Sequence, residues 1–461
     1  MKKSDKILIV GAGLCGSLLA LRMAQRGYQV EVYESRSDIR KSNILGGRSI
    51  NLSLSDRGFK ALQLVGIDQK AREICIPMKG RLMHDTASNT FESNYSGRDG
   101  EFINSISRND LNCLLLIEAE NHENVNIHFN KRCMDIDIET NTATFEISHT
   151  KESFVVKADV IFGTDGAGSS LRKSYEKQFP DFKISQEFLS HGYKELEIPA
   201  SKDGKHLISK DHLHIWPRGD YMLIALPNMD GSFTVTLFLD FSKGTYNFEN
   251  LITKEMIMAF FEKDFPDALS LIPDIFNEFQ NNPTAKLGTI KCHPWSYKGN
   301  TLLMGDSAHA IVPFYGQGMN ASFEDVVVFD EVLSSHEGNW EVIFSQFEQL
   351  RKKDADAIAD LAIDNYYEMR DHVANPLFKD KRTIEMDLEK YFPSQYFSKY
   401  SMVTFNEHIG YHEAMTIGRA QDKVLLSMIK NQELSNTQKL SKEKLKIVLD
   451  KVHQATRKIV N

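Results

Sequence analysis

The sequence reads as an α/β protein in which a Rossmann-type dinucleotide-binding domain is interleaved with an antiparallel β-sheet domain and followed by a C-terminal helical region. Three observations carry that reading. A glycine-rich turn at Gly11 joins an apolar strand to an alanine- and leucine-rich helix, strands alternate with Pro/Gly turns from Leu213 to Leu239, and long amphipathic segments fill the chain after Trp340. The expected boundaries give residues 1–75, 105–180 and 285–375 to the nucleotide-binding domain, 76–104 and 181–284 to the sheet domain, and 376–461 to the helical region.

Ile7 to Val10 form a strand, the helix after it runs to Arg26 and stops at Gly27, and Gln29 to Tyr33 form the next strand, which together make a β-α-β unit. A second apolar strand precedes Asp165. Between Leu213 and Leu239 the punctuation is Pro217-Arg218-Gly219-Asp220 and Pro227-Asn228-Met229-Asp230-Gly231, so the sheet there is antiparallel. Thr301 to Met304 return to a strand, the chain turns helical from about Ser322, and Pro376 and Pro393 break the later helices.

With 55 Lys+Arg against 63 Asp+Glu the net charge is −8, which argues against nucleic acid as a partner. The five cysteines have no C-x-x-C spacing, so neither a disulfide framework nor a zinc site is signalled, and a reducing cytoplasm fits. The start is a strand rather than an address, and no apolar run is long enough to span a bilayer. The expectation is a cytoplasmic monomer or homodimer with no membrane partner. Neither a metal cluster nor a Ser-His-Asp arrangement is visible.

Gly11-Ala12-Gly13-Leu14-Cys15-Gly16 follows its strand directly and opens a helix. There Gly11, Gly13 and Gly16 have mechanical tasks: a tight turn, backbone N–H groups close to a pyrophosphate, and close helix–strand packing. Glu34 ends the second strand 18 residues after Gly16, where a carboxylate accepts from ribose hydroxyls and repels a 2′-phosphate. The resident nucleotide is therefore FAD or NAD. Two further motifs are Asp165-Gly166-Ala167-Gly168-Ser169-Ser170-Leu171-Arg172 and Gly305-Asp306-Ser307-Ala308-His309, the latter followed by Pro313-Phe314-Tyr315-Gly316-Gln317-Gly318-Met319-Asn320. Gly316 to Ala321 also fits G-x-G-x-x-A, but it does not follow its strand directly and is not read as a second fingerprint. His309, beside Gly305-Asp306, is read as a packing or hydrogen-bonding histidine rather than a catalytic one.

In this order the motifs resemble the class A flavoprotein monooxygenases of the para-hydroxybenzoate hydroxylase type. The resemblance implies FAD as resident cofactor, held by Gly11, Gly13, Gly16, Glu34, Arg36, Arg108, Asp165 and Asp306, with Asp306 on the ribityl chain. It places the backbone of Gly318, Met319 and Asn320 against the flavin pyrimidine, where a helix N-terminus favours negative charge. NADPH is implied as a transient reductant and oxygen as co-substrate, and no catalytic side chain is implied.

Further stretches are similar to the kynurenine-hydroxylating branch of that family. They include Gly47-Arg48-Ser49-Ile50-Asn51-Leu52, Gly80-Arg81-Leu82-Met83-His84, Ser105 to Asn112, His191 to Leu196, Leu213 to Pro217, Ser232 to Leu239, Asn365 to Met369 and Tyr400 to Phe405. This implies that Arg81 and Tyr95, with Asn365 and Tyr400, hold the amino-acid end of L-kynurenine, while Phe238, Pro313, Phe314 and Met369 surround its ring. The residue types suit those tasks: an Arg fork matches a carboxylate. Strand period puts Phe233, Val235, Leu237 and Leu239 on one face and Thr234, Thr236 and Phe238 on the other, so Phe238 is the lone aromatic on the less apolar side. Helical period puts Ile358, Leu361, Ala362, Asn365 and Met369 on one stripe, with Asp360, Asp364 and Asp371 elsewhere, so Asn365 interrupts an inward face.

The alternatives are a class A hydroxylase of another aromatic amino acid or benzoate, and a flavoprotein that uses its flavin as a redox-sensing element in partner binding. A benzoate hydroxylase or a redox-sensing flavoprotein needs no α-amino-acid clamp. Two departures stand out. Tyr315 follows the Pro-Phe pair where some bacterial relatives have histidine, and the tail Ser441 to Val460 is lysine-rich and polar where eukaryotic forms carry a membrane helix.

Overall fold

The computed structural model describes residues 5–41, 51–336, 338–369, 376–434 and 440–460. Gly47 to Ile50 and Asp371 lie outside the described residues. The chain divides into two compact units: Met1–Cys75, Ile106–Phe188 and Gly288–Ala359 form the first, and Ile76–Ser105, Leu189–Leu287 and Asp360–Asn461 the second. The tail from 376 thus groups with the antiparallel sheet, as does 360–369.

In the first unit a six-stranded sheet has the order Ser296–Tyr297, Thr301–Leu303, Val160–Gly163, Lys6–Val10, Gln29–Tyr33, Val125–His128. All neighbours are parallel except the first pair. Ile7, Leu8 and Ile9 are fully buried because Lys6–Val10 lies in the middle of the sheet with both faces covered. Helix Leu14–Gln25 returns the chain to Gln29–Tyr33, and Gly27, at φ +87°, ends it. The helix expected from about Ser322 begins earlier and spans Gly318–Ser335. A small antiparallel sheet of Lys131–Asp137, Thr142–Ile147 and Ser153–Lys157 also belongs to this unit.

Most of a seven-stranded sheet belongs to the second unit; its order is Thr284–His293, Lys183–Ile198, Phe233–Asp240, Met222–Pro227, His212–Pro217, Gly80–His84, Thr90–Asn94, with 183–188 and 288–293 counted in the first unit. One face carries Phe233, Val235, Leu237, Leu239 and Trp216, packed with Phe260, Phe261, Phe265 and Phe279 of the helical segments after it. The other face follows from register. Phe238 lies opposite Tyr193 and Met222, Thr236 opposite Ile224, Ile224 opposite Ile215, and Leu213 opposite Arg81. Arg81 and Phe238 therefore share the face that the alternation in Ser232 to Asp240 marks as less apolar.

Helices Pro376–Tyr391, Tyr411–Lys430 and Lys442–Val460 form a separate apolar cluster of this unit. The tail is less polar than its lysines suggest. Leu445, Val448, Leu449 and Val452 recur at i, i+3, i+4 and i+7 and are fully buried, so one stripe closes that cluster. Among the described residues no helix is long and apolar enough to cross a membrane.

Candidate active site

The glycine turn separates what the protein packs from what it leaves open. A Cβ at Gly11 would lie 2.7 Å from Asp165 Cα, and one at Gly16 only 2.0 Å from the Gly11 carbonyl oxygen. At Gly13 a Cβ would meet nothing within 4 Å. Two glycines are thus demanded by internal packing, whereas Gly13 leaves room in front of helix Leu14–Gln25, whose first turn has neither an acidic residue nor a side-chain cap. Unsatisfied N–H groups facing open space suit a pyrophosphate. The turn is fixed by side chains that sequence reasoning missed. Asn112 Nδ2 and Ser17 Oγ donate to the Ala12 carbonyl at 3.1 and 3.0 Å, and Thr164 Oγ1 donates to the carbonyls of Val10 and Gly11, each at 3.0 Å. Asn112 ends the stretch Ser105 to Asn112, which was its only signal.

Glu34 is 5% exposed and accepts from the Ala12 N–H at 2.9 Å and from Arg36 N–H and Nε, both at 2.9 Å. Burial opposes its charge, but Arg36 and the Ala12 N–H outweigh it and hold the carboxyl below the usual range. Arg36 is thus the partner that keeps Glu34 ionised. Asp165 accepts from the Ser170 N–H at 2.6 Å and from Ser307 Oγ at 3.2 Å. Buried Arg172 donates to the Ser307 carbonyl at 2.8 Å and to that of Ala167, so Asp165 and Arg172 stitch two loops together.

The Asp306 carboxylate is accessible to solvent yet ringed by protein. Burial pushes its pKa up, nearby Asp325 adds to the rise, and His309 and Arg108 act against it. An accessible carboxylate at the floor of a recess is the right group for polyol hydroxyls. Its turn is held from behind. Asp325, fully buried, accepts from the Gly305 N–H at 2.9 Å, from His309 Nε2 at 2.6 Å and from Arg351 Nε at 2.8 Å. Arg351 continues to Glu324 at 2.8 Å, and Glu324 to buried Arg57 at 2.6 Å. Burial works against the Asp325 charge, but His309 and Arg351 hold its carboxyl below the ordinary range. His309 is a donor in this network, as the packing reading of it expected.

Asn320 is fully buried and occupied: its Oδ1 accepts from the Ser55 N–H at 3.0 Å, and its Nδ2 donates to the carbonyls of Ser53 and Gly316 at 2.8 and 3.0 Å. This leaves the backbone of Gly318, Met319 and Asn320 to serve a ligand, and the helix they open again lacks an acidic first turn or a side-chain cap. Pro313 is exposed, whereas Phe314 and Tyr315 are buried in the short 3₁₀ turn before Gly316, which takes φ +67°. The open space at Gly13, two uncapped helix starts and the recessed Asp306 together fit a flavin dinucleotide.

In the second unit Arg81 lies beside two aromatic rings, its guanidinium carbon 5.2 Å from the Tyr95 ring centre and 4.7 Å from that of Tyr400. The rings are stacked, 5.8 Å apart at 9°. Among the described residues no carboxylate reaches ion-pair distance of Arg81. Burial disfavours its charge, but Tyr400, Tyr95 and Glu368 around it hold its pKa above the ordinary value. Tyr95 is fully buried, and among the described residues its hydroxyl has no hydrogen-bond partner. At the end of helix Trp340–Tyr367, Asn365 Nδ2 lies 3.4 Å from Met369 Sδ. Glu368, three residues on, was missed; it is the carboxylate in this part of the unit whose charge bears on Arg81. Among the described residues no group of His, Cys, Asp and Glu could hold a metal.

An FAD binding domain family model matches residues 5–341. A Myxococcus xanthus kynurenine 3-monooxygenase is 46% identical over 423 residues, covering 92% of this chain and 90% of its own. A Flavobacterium johnsoniae kynurenine 3-monooxygenase is 44% identical, covering 95% and 96%. Among solved structures, 2-methyl-3-hydroxypyridine-5-carboxylic acid oxygenase superposes with a TM-score of 0.65 at 19% identity, covering 81% of this chain and 95% of its own, a likeness of fold.

Proposed function

The chain belongs to the kynurenine 3-monooxygenase family of FAD-binding proteins, and from that membership we propose how its residues serve the NADPH- and oxygen-dependent hydroxylation of L-kynurenine to 3-hydroxy-L-kynurenine. Bound FAD carries electrons from NADPH to oxygen and delivers one oxygen atom to the ring, so the hard chemistry belongs to the cofactor. The aniline nitrogen of kynurenine already activates the carbon beside it, and the protein is not asked for a strong general base.

The observation that carries this reading is Arg81, a guanidinium beside two tyrosines with no carboxylate at ion-pair distance among the described residues. A substrate carboxylate completes it bidentately, and the unpartnered Tyr95 hydroxyl adds a bond. Glu368 complements the substrate ammonium, and Asn365 and Tyr400 fix the amino-acid end. Phe238, on the face that Arg81 shares, packs against the ring, and Met369 is assigned to it as well. For the cofactor, Gly13 and the start of helix Leu14–Gln25 take the pyrophosphate, Glu34 with Arg36 the ribose, Asp306 the ribityl chain, and the backbone at Gly318 to Asn320 the pyrimidine. Arg108 and Asp165 support Asp306 and its loop. These groups position the reactants and keep water away, which is where a hydroxylase of this kind gains its rate.

The test is NADPH consumption with and without L-kynurenine, with the product identified by mass. Kynurenine-dependent consumption yielding a product heavier by one oxygen is the expected result. Consumption indifferent to kynurenine, with another aromatic acid hydroxylated, would transfer the reading to a different class A substrate.

A further inference from the structure

On the core face of the antiparallel sheet, opposite the face that carries Arg81, two buried imidazoles meet end to end. His84 closes strand Gly80–His84 and is 5% exposed, and His214 lies in His212–Pro217 and is 1% exposed. His84 Nδ1 is 2.8 Å from Asp267 Oδ2, His84 Nε2 is 2.9 Å from His214 Nδ1, and His214 Nε2 is 2.7 Å from the Ser209 carbonyl oxygen. The row ends on an acceptor at both sides. A carbonyl only accepts, and Asp267 Oδ2 also accepts from the Trp216 indole N–H at 2.8 Å; burial opposes the Asp267 charge, but the bonds from His84 and Trp216 hold its carboxyl below the ordinary range, so it is an acceptor too. Both terminal ring nitrogens must therefore be N–H, and the central bond needs one hydrogen more. Three of the four ring nitrogens carry hydrogen, one more than two neutral imidazoles supply.

We propose that His84 and His214 share a single extra proton, countered by Asp267, and that this charged pair is a clasp positioning the strand that carries Arg81. The link to substrate rests on the reading of Arg81 as the carboxylate anchor. Leu82 and His214 are register partners, so the clasp joins neighbouring strands three residues from Arg81. Once the proton leaves, two lone pairs face each other across the central contact, and the side-chain tie between the strands is lost.

The surroundings favour one proton and resist two. Burial above all pushes the pKa of His214 down to about 4; the Ser209 carbonyl and Asp267 work against it and the charges of His84 and His212 with it, so the second ring stays neutral down to acid conditions. Asp267 Oδ1 is buried without a partner, which concentrates the carboxylate's bonding on Oδ2. Of the other charged neighbours, Arg218 feels the Asp267 charge but spends its N–H groups on backbone carbonyls, and the rest are engaged elsewhere. Arg218 donates to the carbonyls of His84, Asp85 and Asp264, at 2.9, 3.2 and 2.5 Å, Tyr221 donates to the Asp264 carboxylate at 2.9 Å, and His212 faces Glu92 at 3.2 Å. Trp216 stacks on His84 with ring centres 4.0 Å apart and fixes its plane.

The experiment follows the ring nitrogens of 15N-histidine-labelled FAD-loaded protein from pH 5 to 9, together with the kynurenine dissociation constant. At the acid end three of the four nitrogens of His84 and His214 are protonated. One step removes one proton as pH rises, and kynurenine binding weakens about threefold across it, the factor commanded by one lost hydrogen bond. Asp267→Asn keeps an acceptor and removes the counter-charge, so it moves the step to lower pH. His214→Gln can donate to Ser209 and accept from His84, so it leaves a doubly protonated His84 and serves if Asp267→Asn does not fold. Two unprotonated nitrogens throughout, or a step that Asp267→Asn does not move, would overturn the shared proton. A step with unchanged kynurenine affinity would overturn the coupling to Arg81, whereas absence of kynurenine binding at any pH would instead sink the proposed function.

Discussion

At the scale of single residues, the second unit offers a cation with no carboxylate at ion-pair distance among the described residues, and the first an anion set in a recess. Replacing Arg81 by Met removes one side of the proposed ion pair. Because the site is half-buried, the expected loss is about tenfold to a hundredfold in kynurenine KM, with FAD affinity unchanged. Arg81→Lys keeps the charge without the fork and should fall between the two. Equal KM values in all three proteins, measured by NADPH oxidation, would remove Arg81 from the anchor. Asp306 behaves in the opposite sense. Burial raises its carboxyl pKa, so in the apoprotein the folded state holds its proton more firmly than the unfolded chain does. Stability tied to this group is present below the ordinary carboxyl range, about pH 4, and is lost as pH rises through the raised value. Asp306→Asn should therefore melt higher than the parent apoprotein at pH 7 and bind FAD more weakly, by thermal melts and by flavin fluorescence titration. An unchanged melting point with unchanged FAD affinity would show that Asp306 is neither strained nor used.

At the scale of elements, one buried carboxylate joins the Gly305 turn, His309, helix Gly318–Ser335 and helix Trp340–Tyr367. Arg351→Met would leave Asp325 and Glu324 short of their cation. Breaking a buried pair from one side costs about 3–5 kcal/mol, and urea unfolding should report that loss together with weaker FAD binding. The sign with pH is set by Asp325, whose carboxyl is held low: its contribution is present above about pH 4 and lost as pH falls through the folded value, so the parent should lose more stability on acidification than Arg351→Met. An identical acid profile in both proteins would place the network's energy elsewhere. Apart from the hydrogen-bonding role of His309, none of this was legible in the sequence, because Arg57, Glu324 and Arg351 are far apart and belong to no local pattern. Local pattern did reveal the glycine turn, the two faces of Ser232 to Asp240 and the inward stripe containing Asn365. It failed for the tail, where lysines between Leu445, Val448, Leu449 and Val452 mask a buried stripe, and for the start of helix Gly318–Ser335, where glycines read as loop.

At the scale of the whole molecule, the division of labour predicted from motifs becomes a division between two compact units that the chain visits alternately. The glycine turn, Glu34, Asp306 and the start of helix Gly318–Ser335 belong to the first; Arg81, Tyr95, Asn365 and Tyr400 belong to the second. Sequence spacing could not supply that sorting for the helical tail, because membership of a unit is decided by which apolar faces meet. It has a measurable consequence. A ligand that binds only the folded state stabilises it by RT ln(1 + [L]/Kd), about 2.7 kcal/mol at a hundredfold excess over Kd, and local opening is suppressed first where the ligand touches. In hydrogen exchange of the apoprotein, FAD should slow amides at 11–16, 305–306 and 318–320. Kynurenine added to the FAD-loaded protein should then slow amides near 80–84, 95 and 400, segments that hold the anchor and the proposed clasp. Arg81→Met should abolish the second pattern and leave the first intact. If instead kynurenine protects only the first unit's segments, the amino-acid anchor is not built from Arg81, Tyr95 and Tyr400, and the stacked tyrosines are a packing feature of the second unit's apolar cluster with Met78 and Ile103.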